Sequence, residues 1–409
     1  MKLSLLGILS CVCLMLTGCK TDTAPATKPN ESPTAIVQPE PATRPNTTVT
    51  TPTTELKATT TPAATTLPVI AAKNGRKLEK IKAGYIYVAV VGDGGWTHAH
   101  DQSRKALEQL PFVTGTEYVE NVAEKEELCS AKIEELIAKG CNLIFTTSWG
   151  FMDPTLTMAK KHPDVVFMHC SGFKANQNLG TYFGRMYQAR YLSGLIAGKM
   201  TKTNKIGYLL PFPIPECIRG MNAFTVGVRE VNPQATVTLA WTNNWYDPAN
   251  ERNIATSLVE QGVDVLAQHQ DSPAAVTVAQ ESGIYAVGYD SDMSQFAPDA
   301  HLTSPIWHWE KICNAVARQL HEGTWTSEPI WWGLEQGVID LAPLNPKIPA
   351  QVRQLIEQRR QEIIAGQPVF QGPLLDNAGN TKLTTGQRFT DQELLTMMFL
   401  VEGVVGKLP

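Results

Sequence analysis

The sequence lacks the cysteine patterns on which zinc centres and disulfide frameworks are built. It has 8 cysteines in 409 residues, and none stands in a Cys-x-x-Cys pair. Three of them belong to the N-terminal segment described below, and the other five are Cys129, Cys141, Cys170, Cys217 and Cys313. This odd, widely spaced set argues against a metal site and leaves one bridge between two of them open. We expect most of these thiols to be small buried apolar groups.

Basic residues are not in excess either. The chain carries 35 Lys and Arg against 39 Asp and Glu, a formal net charge of -4. A charge balance of this kind gives no electrostatic footprint for DNA or RNA. We therefore expect no nucleic-acid partner.

Signals for catalysis are weak or absent. Gly-x-Ser-x-Gly does not occur, and the Gly92-Asp93-Gly94-Gly95 turn has Thr97 where a dinucleotide loop needs its third glycine. His98 and His100 lie in a predicted helix, where residues two apart point about 200° away from each other and cannot share a metal. We expect neither an enzyme nor a cofactor.

The apolar run at the N-terminus is too short to span a bilayer. It extends from Leu3 to Leu16 after Lys2 and is followed by Thr17-Gly18-Cys19, whereas a spanning helix needs about 20 apolar residues. A positive start, an apolar core and small residues before a cleavage site indicate a secretory signal. Cys19 after Leu-Thr-Gly resembles the bacterial lipobox, which implies a signal peptide at 1–18 and a lipidated Cys19. We therefore expect a membrane-anchored, extracytoplasmic lipoprotein.

The next segment lacks aromatic residues. Residues 19–80 are dominated by Thr, Pro and Ala after the cysteine. Such a composition buries too little apolar surface to offset the entropy of ordering. The sequence therefore predicts a disordered tether between the lipid anchor and a folded part.

The folded part contains two copies of one pattern. Lys82-Ala83-Gly84-Tyr85 is repeated as Lys205-Ile206-Gly207-Tyr208, and the helix end with its following strand at 136–145 is repeated at 258–267. Each copy alternates apolar strands with helices, from the first strand at 83–91 and its counterpart at 205–210, which predicts a parallel sheet flanked by helices. We predict one lobe from 81–184 plus about 303–326, and a second from 185–302 plus about 327–409. A cleft between two such lobes is a common binding site for small ligands.

Large aromatic and acidic residues follow the predicted strands, where ligands bind in open α/β sheets. The candidate ligand-binding residues are Asp93, Trp96, Phe151, Asp153, Trp245, Asp271, Asp290 and Trp307. Aromatic faces stack on planar rings, and carboxylates accept hydrogen bonds from ring and exocyclic N–H groups. This set suits a neutral, nitrogen-rich planar ligand such as a purine better than a sugar or a phosphate. These residues could instead have structural roles: a single Trp could pack in the protein interior, and Asp153 could cap a helix.

Several motifs follow one another in a fixed order along the folded part. They are Gly92-Asp-Gly-Gly-Trp-Thr-His-Ala-His-Asp101, Phe145-Thr-Thr-Ser-Trp-Gly-Phe-Met-Asp-Pro154, Gly180-Thr-Tyr-Phe-Gly-Arg185, Ala197-Gly-Lys-Met200, Phe212-Pro-Ile-Pro-Glu216 and Gly288-Tyr-Asp-Ser-Asp292. Together they resemble the basic membrane protein (BMP) family of lipoproteins, in its Trp-rich subgroup. The resemblance implies a two-lobed type I periplasmic-binding-protein fold that binds purines or purine nucleosides for an ABC importer.

The resemblance also implies roles for individual residues. The turn from Asp93, with Trp96 in place of the family's usual Phe, and Asp153 would contact the base. Trp245 would stack on it, and Asp271, followed by Asp290, would take the position of the ribose-binding carboxylate. Trp307 replaces a ribose-binding Lys, which favours a free base such as adenine.

We therefore expect a monomeric solute-binding protein for a purine base, partnered by an ABC permease and by the bilayer through Cys19. A nucleoside-binding importer component and a ligand sensor without a transport role are the alternatives.

Overall fold

The computed structural model describes residues 75–409. The predicted signal peptide, Cys19 and the predicted tether up to residue 74 lie outside the described residues. The helices are α1 (Trp96–Leu107), α2 (Glu126–Ala138), α3 (Met152–Lys161), α4 (Tyr187–Met200), α5 (Pro215–Val231), α6 (Pro248–Glu260), α7 (Ala274–Ser282), α8 (Glu310–Glu322), α9 (Ala350–Ile364) and α10 (Asp391–Leu395). Among residues 75–409, no helix has the length and apolar character that crossing a bilayer requires.

Most of the strands belong to two sheets. In chain order they are β1 (Ile81–Ile86), β2 (Val113–Val119), β3 (Leu143–Thr146), β4 (Val166–Cys170), β5 (Leu179–Gly184), β6 (Lys205–Leu210), β7 (Thr236–Trp241), β8 (Val265–Gln268), β9 (Tyr285–Val287), β10 (His301–Thr303), β11 (Pro305–Trp307), β12 (Ile330–Trp332), β13 (Ile339–Leu341), β14 (Leu374–Leu375), β15 (Thr381–Leu383) and β16 (Val404–Val405). The short pairs β11–β13 and β14–β15 are antiparallel.

The two large sheets repeat one topology, as the internal duplication predicts. The first has the order β12-β5-β4-β3-β1-β2 and the second β10-β9-β8-β6-β7-β16, with every neighbouring pair parallel. Strands β3, β4 and β8 are buried along their whole length, which fits near-continuous apolar runs covered by helices on both faces. The predicted α/β fold of two parallel sheets flanked by helices is confirmed.

The edge of each sheet is completed by a strand from late in the sequence. β12 adds to β5 of the first sheet through Ile330 and Tyr182, and β16 adds to β7 of the second through Val404 and Val237. The chain therefore returns to the second sheet after Trp332, so the expected return near residue 327 is too early. In the segment before it, α8 packs against α1 of the first lobe.

The tether ends earlier than expected. Residues 75–80 were included in it, but they pack beside α8. The backbone N–H of Arg76 donates to the carbonyl of Trp325 at 3.1 Å, and that of Leu78 donates to the carbonyl of Leu320 at 2.8 Å. These hydrogen bonds offset the ordering entropy that composition alone predicts to be unfavourable.

The start of the second lobe is a pair of closely packed helices. A Cβ on Gly194 of α4 would lie 2.0 Å from the backbone oxygen of Phe224 in α5. Only glycine permits this approach, which explains why the sequence of α4 is rich in small residues. The first strand is shorter than the predicted 83–91, because its ladder ends at Ile86, opposite Val119 and Thr146. The chain beyond Ile86 turns toward the cleft.

The five cysteines of the described residues are all free and buried. Burial raises the pKa of Cys129 to about 12 and that of Cys313 to about 12. The thiols are therefore protonated, and they pack as small apolar groups, as expected.

Candidate ligand-binding site

A cavity of about 310 Å³ lies between the two lobes. We refer to it as the ligand cavity. Its lining residues are Val88, Trp96, Ser148, Trp149 and Ser171 of the first lobe, and Glu216, Trp245, His269, Asp271 and Tyr289 of the second. This volume includes the part that is open to solvent. Aromatic side chains from both lobes and a few polar groups therefore surround one small, mostly enclosed space.

Trp96 is positioned by the turn that starts α1. The buried carboxylate of Asp93 accepts hydrogen bonds from the backbone N–H groups of Gly95, Thr97 and His98, each at 2.9 Å. The indole Nε1 of Trp96 donates to the carbonyl of Thr147 at 2.5 Å, which fixes the ring. Asp93 is thus a capping residue of the turn that holds Trp96, and it does not line the cavity.

Close contacts between the same turn and the second lobe hold the cavity closed. The hydroxyl of Ser291 donates to the carbonyl of Gly94 at 2.5 Å. Gly95 packs directly on the backbone of Asp271, where a Cβ would lie 2.1 Å from the carbonyl oxygen. The two lobes therefore meet at a point where no side chain fits.

Trp245 and Asp271 are brought together by the backbone. The N–H of Asp271 donates to the carbonyl of Trp245 at 3.2 Å. Trp245 is half-buried and packs edge-on against Phe212, with ring centroids 5.1 Å apart. Phe212 therefore packs against the indole of Trp245, while the Trp245 side chain also borders the cavity.

Asp271 is the most unusual polar group of the cavity. It is 3% exposed, and among residues 75–409 no side chain or backbone group hydrogen-bonds its carboxyl. Burial raises its pKa well above the ordinary value, and the nearby Asp290, Asp93 and Glu251 raise it further. A buried carboxyl without a partner is costly, so this group is suited to a donor that comes with the ligand.

His269 and Tyr289 form the floor of the cavity. Burial lowers the pKa of His269 well below its ordinary value, and the guanidinium groups of Arg190 and Arg219 lower it further, so its imidazole is neutral. Its Nδ1 has no hydrogen-bond partner among the described residues. Tyr289 packs on His269 with ring centroids 4.6 Å apart, and the guanidinium carbon of Arg190 lies 3.6 Å from the centre of the Tyr289 ring.

Asp290 and Trp307 lie behind this floor rather than in the cavity. The indole Nε1 of Trp307 donates to Oδ1 of Asp290 at 2.8 Å, and its ring stacks on Trp309 at 4.1 Å. Trp307 also packs edge-on against Trp96 at 5.8 Å. These two predicted site residues therefore support the aromatic residues of the cavity without lining it.

Phe151 and Asp153 are not brought to the cavity. The chain after β3 forms a short turn, Trp149–Phe151, that leads into α3. This turn directs Phe151 into the apolar core of the first lobe, where it is fully buried. Asp153 lies in the first turn of α3, is 63% exposed and pairs with Lys174. The two expected contacts are thus a core residue and a surface ion pair.

Five lining residues lie in segments that the sequence singles out but are not among its predicted site residues. Ser148 and Trp149 precede Phe151, His269 and Tyr289 precede the predicted carboxylates, and Glu216 ends the Phe212–Glu216 motif. Ser171 directly follows β4, and the strand-end rule applied to that strand would have found it. Burial raises the pKa of Glu216 to about 7.

One cluster of described residues has the spacing of a metal site. Potential ligand atoms of Glu216, Cys217 and His269 lie within 4.8 Å of one another. Burial raises the pKa of the Cys217 thiol well above its ordinary value, and the guanidinium groups of Arg190 and Arg219 act on His269. A protonated thiol and two nearby cations disfavour a bound metal ion.

Comparison with known proteins identifies a family. Residues 80–370 match the family model described as Bmp, ABC transporter substrate-binding protein PnrA-like. The chain is 43% identical over 333 residues to a purine-binding protein of Brucella abortus, covering 81% of this chain and 95% of that protein. It is 38% identical over 333 residues to a putative ABC transporter glucose-binding protein of Haloferax volcanii, covering 81% and 82%.

Solved structures share the fold. A solute-binding protein of an ABC transporter system from Aeropyrum pernix matches with a TM-score of 0.61 and 16% identity, over 70% of this chain and 92% of that one. A transcriptional activator of the comK gene from Bacillus halodurans matches with a TM-score of 0.61 and 23% identity, over 70% and 98%.

Proposed function

This chain belongs to the PnrA-like family of ABC transporter substrate-binding proteins, and we propose that it binds a free purine base such as adenine. The base lies in the ligand cavity between the two lobes and is delivered to the permease of an ABC importer. Cys19 anchors the protein to the bilayer on the extracytoplasmic side, and the protein acts as a monomer.

The observation that carries the proposal is the unpartnered carboxyl of Asp271 in an aromatic cavity. Trp96 and Trp245 line the cavity from opposite lobes, and stacking of a base on an aromatic side chain contributes about 1–3 kcal/mol. A protonated carboxyl presents one donor and one acceptor, which matches the amino group and adjacent ring nitrogen of an aminopurine. The Brucella abortus relative, named as a purine-binding protein, supports the same ligand class.

One feature favours the base over the nucleoside. Trp307, which the family resemblance puts in the position of a ribose-binding Lys, is bonded to Asp290 and stacked on Trp309, so neither Trp307 nor that oxygen of Asp290 is free for a ribose.

Ligand contact with both lobes also explains how occupancy is communicated. Trp96 comes from the first lobe, whereas Trp245 and Asp271 come from the second. A ligand that contacts both lobes stabilises the closed arrangement relative to the open one, and the permease can distinguish these states.

Calorimetric titration tests the ligand. The protein, unfolded and refolded to remove bound ligand, is titrated with adenine, guanine, adenosine, guanosine and, as a control, glucose. We expect a base to bind about tenfold or more tightly than its nucleoside, because Trp307 and Asp290 are bonded to each other and are not free to bind a ribose. Tighter binding of the nucleoside would contradict the free-base proposal, and binding of glucose alone would contradict the purine proposal.

Trp245→Ala tests the stacking contact. We expect it to weaken binding of the base by about 1–3 kcal/mol, or roughly 5- to 150-fold, in the same titration. Trp241→Ala is the matched control, because Trp241 is also a half-buried indole of the second lobe and donates to the carbonyl of Lys407 at 3.1 Å, outside the cavity. Equal affinities of the two variants would remove Trp245 from the site.

A further inference from the structure

A second cavity opens beside the ligand cavity. Its volume is about 1250 Å³, including the part that is open to solvent. Three residues, Trp149, Ser171 and Glu216, line both cavities. The two spaces therefore adjoin at the side of the ligand cavity that these residues form, whereas Asp271 and Trp245 border only the smaller one.

The second cavity is lined largely by apolar side chains from both lobes. Phe173, which follows β4, is 69% exposed, and its ring is 6.1 Å from that of Trp149. On the other side, Leu395 of α10 is 44% exposed. Ile330 and Trp331 of the edge strand β12 complete the apolar lining. Exposed apolar side chains that converge on one space next to a ligand site are typical of a binding surface.

Part of the wall on the second-lobe side comes from a segment beyond the family match, and the rest from α5. That match ends at residue 370, whereas Gln392, Leu395 and Thr396 line the second cavity. The segment is firmly attached, because Nη1 of the buried Arg219 donates to the carbonyl of Leu394 at 2.7 Å and the amide of Asn222 donates to the carbonyl of Phe399 at 2.7 Å.

We infer that the second cavity binds an apolar substituent carried by the heterocycle, so that the ligands of this protein include purine bases with a hydrocarbon or aromatic arm. The ring occupies the ligand cavity, and the arm leaves it past Trp149, Ser171 and Glu216. There it contacts Phe173 of one lobe and Leu395 of the other. This inference rests on the proposed function, because the ring must first bind in the ligand cavity.

The arm has to leave from the ring edge that faces away from Asp271. A bound purine bonds to Asp271 through one edge, and a different edge faces Trp149, Ser171 and Glu216, which line both cavities. A substituent on the edge that Asp271 binds would displace its hydrogen bonds. Two regioisomers, N6-benzyladenine and 9-benzyladenine, place the same arm on different edges. One of them is therefore expected to gain affinity and the other to lose it.

The test compares these two compounds with adenine by calorimetric titration of the purified protein. We expect one regioisomer to bind about tenfold or more tightly than adenine, the gain given by burial of a phenyl-sized apolar group. In a double variant, Phe173→Ser with Leu395→Ser, this gain should fall to about threefold or less, with adenine affinity unchanged. Leu128→Ser is the control, because Leu128 is 50% exposed on α2 and lines neither cavity.

Results other than these contradict either the role of the second cavity or the proposed function. If adenine binds but neither regioisomer binds more tightly, the second cavity does not bind a substituent. The same conclusion follows if the gain persists in the double variant. If neither adenine nor guanine binds, the proposed function fails, and this inference fails with it.

Discussion

Replacement of Gly95 by alanine is expected to weaken ligand binding by about 1–3 kcal/mol, or roughly 5- to 150-fold, without unfolding either lobe. The added Cβ would lie 2.1 Å from the carbonyl oxygen of Asp271. Since that atom is backbone on the opposite lobe, the contact is relieved only by separating the lobes. The closed, binding-competent state then becomes less populated, and the apparent affinity falls by that fraction.

The same turn provides the control. A Cβ on Gly92 would meet no atom within 4 Å, so Gly92→Ala is expected to bind as the wild type does. Calorimetry measures the affinities, small-angle scattering of the liganded proteins reports the separation of the lobes, and thermal denaturation without ligand checks the fold. Equal affinities of the two variants would show that the Gly95 contact does not limit closure.

Two replacements of Asp271 are expected to show whether its carboxyl binds the ligand in the protonated or the ionised form. Asp271→Ala leaves the polar groups of the ligand unpaired, which should cost about 1–3 kcal/mol and lower the affinity by roughly 5- to 150-fold. Asp271→Asn keeps one donor and one acceptor in the same place. If the carboxyl binds the ligand in its protonated form, the Asn variant should remain within about fivefold of the wild type.

The pH dependence of ligand affinity follows from the raised pKa of Asp271. The protonated form is fully present below that pKa, so the affinity of the wild type should be highest there and decline as the pH rises through it. Asp290, Asp93 and Glu251, which contribute to the shift, are retained in Asp271→Asn, as is Glu216. The difference between the two pH profiles therefore reports Asp271 itself. An affinity that rises with pH, or equal losses in Asn and Ala variants, would contradict a protonated carboxyl.

The repeated topology could be predicted because its signal is local. Each central strand is a short apolar run, and the repeat places β6 at 205–210, the bounds expected from sequence. The edge strands Ile330–Trp332 and Val404–Val405 could not be found in this way. Strands of three and two residues have no periodicity of their own, and they form only because a sheet edge is there to pair with.

Only part of the candidate site could be predicted, because the sequence signal for it is also local. The rule that ligands bind beyond strand ends leads to Trp96, Trp245 and Asp271, all of which line the cavity. It does not tell which way a side chain points once the chain turns, and the turn after β3 takes Phe151 into the core. Nor does it identify Asp93, Asp290 or Trp307 as supporting residues, because their partners are distant in sequence.

The late edge strands have a consequence for how the polypeptide matures. β12 closes the first sheet only after the strands β6–β10 of the second have been synthesised, and β16 closes the second sheet almost at the C-terminus. Contacts between such distant segments make folding slow, and an emerging chain cannot complete the first sheet before residue 332 or the second before residue 405. For a protein that crosses a membrane before it folds, as the proposed location requires, this order of assembly keeps the nascent chain competent for export.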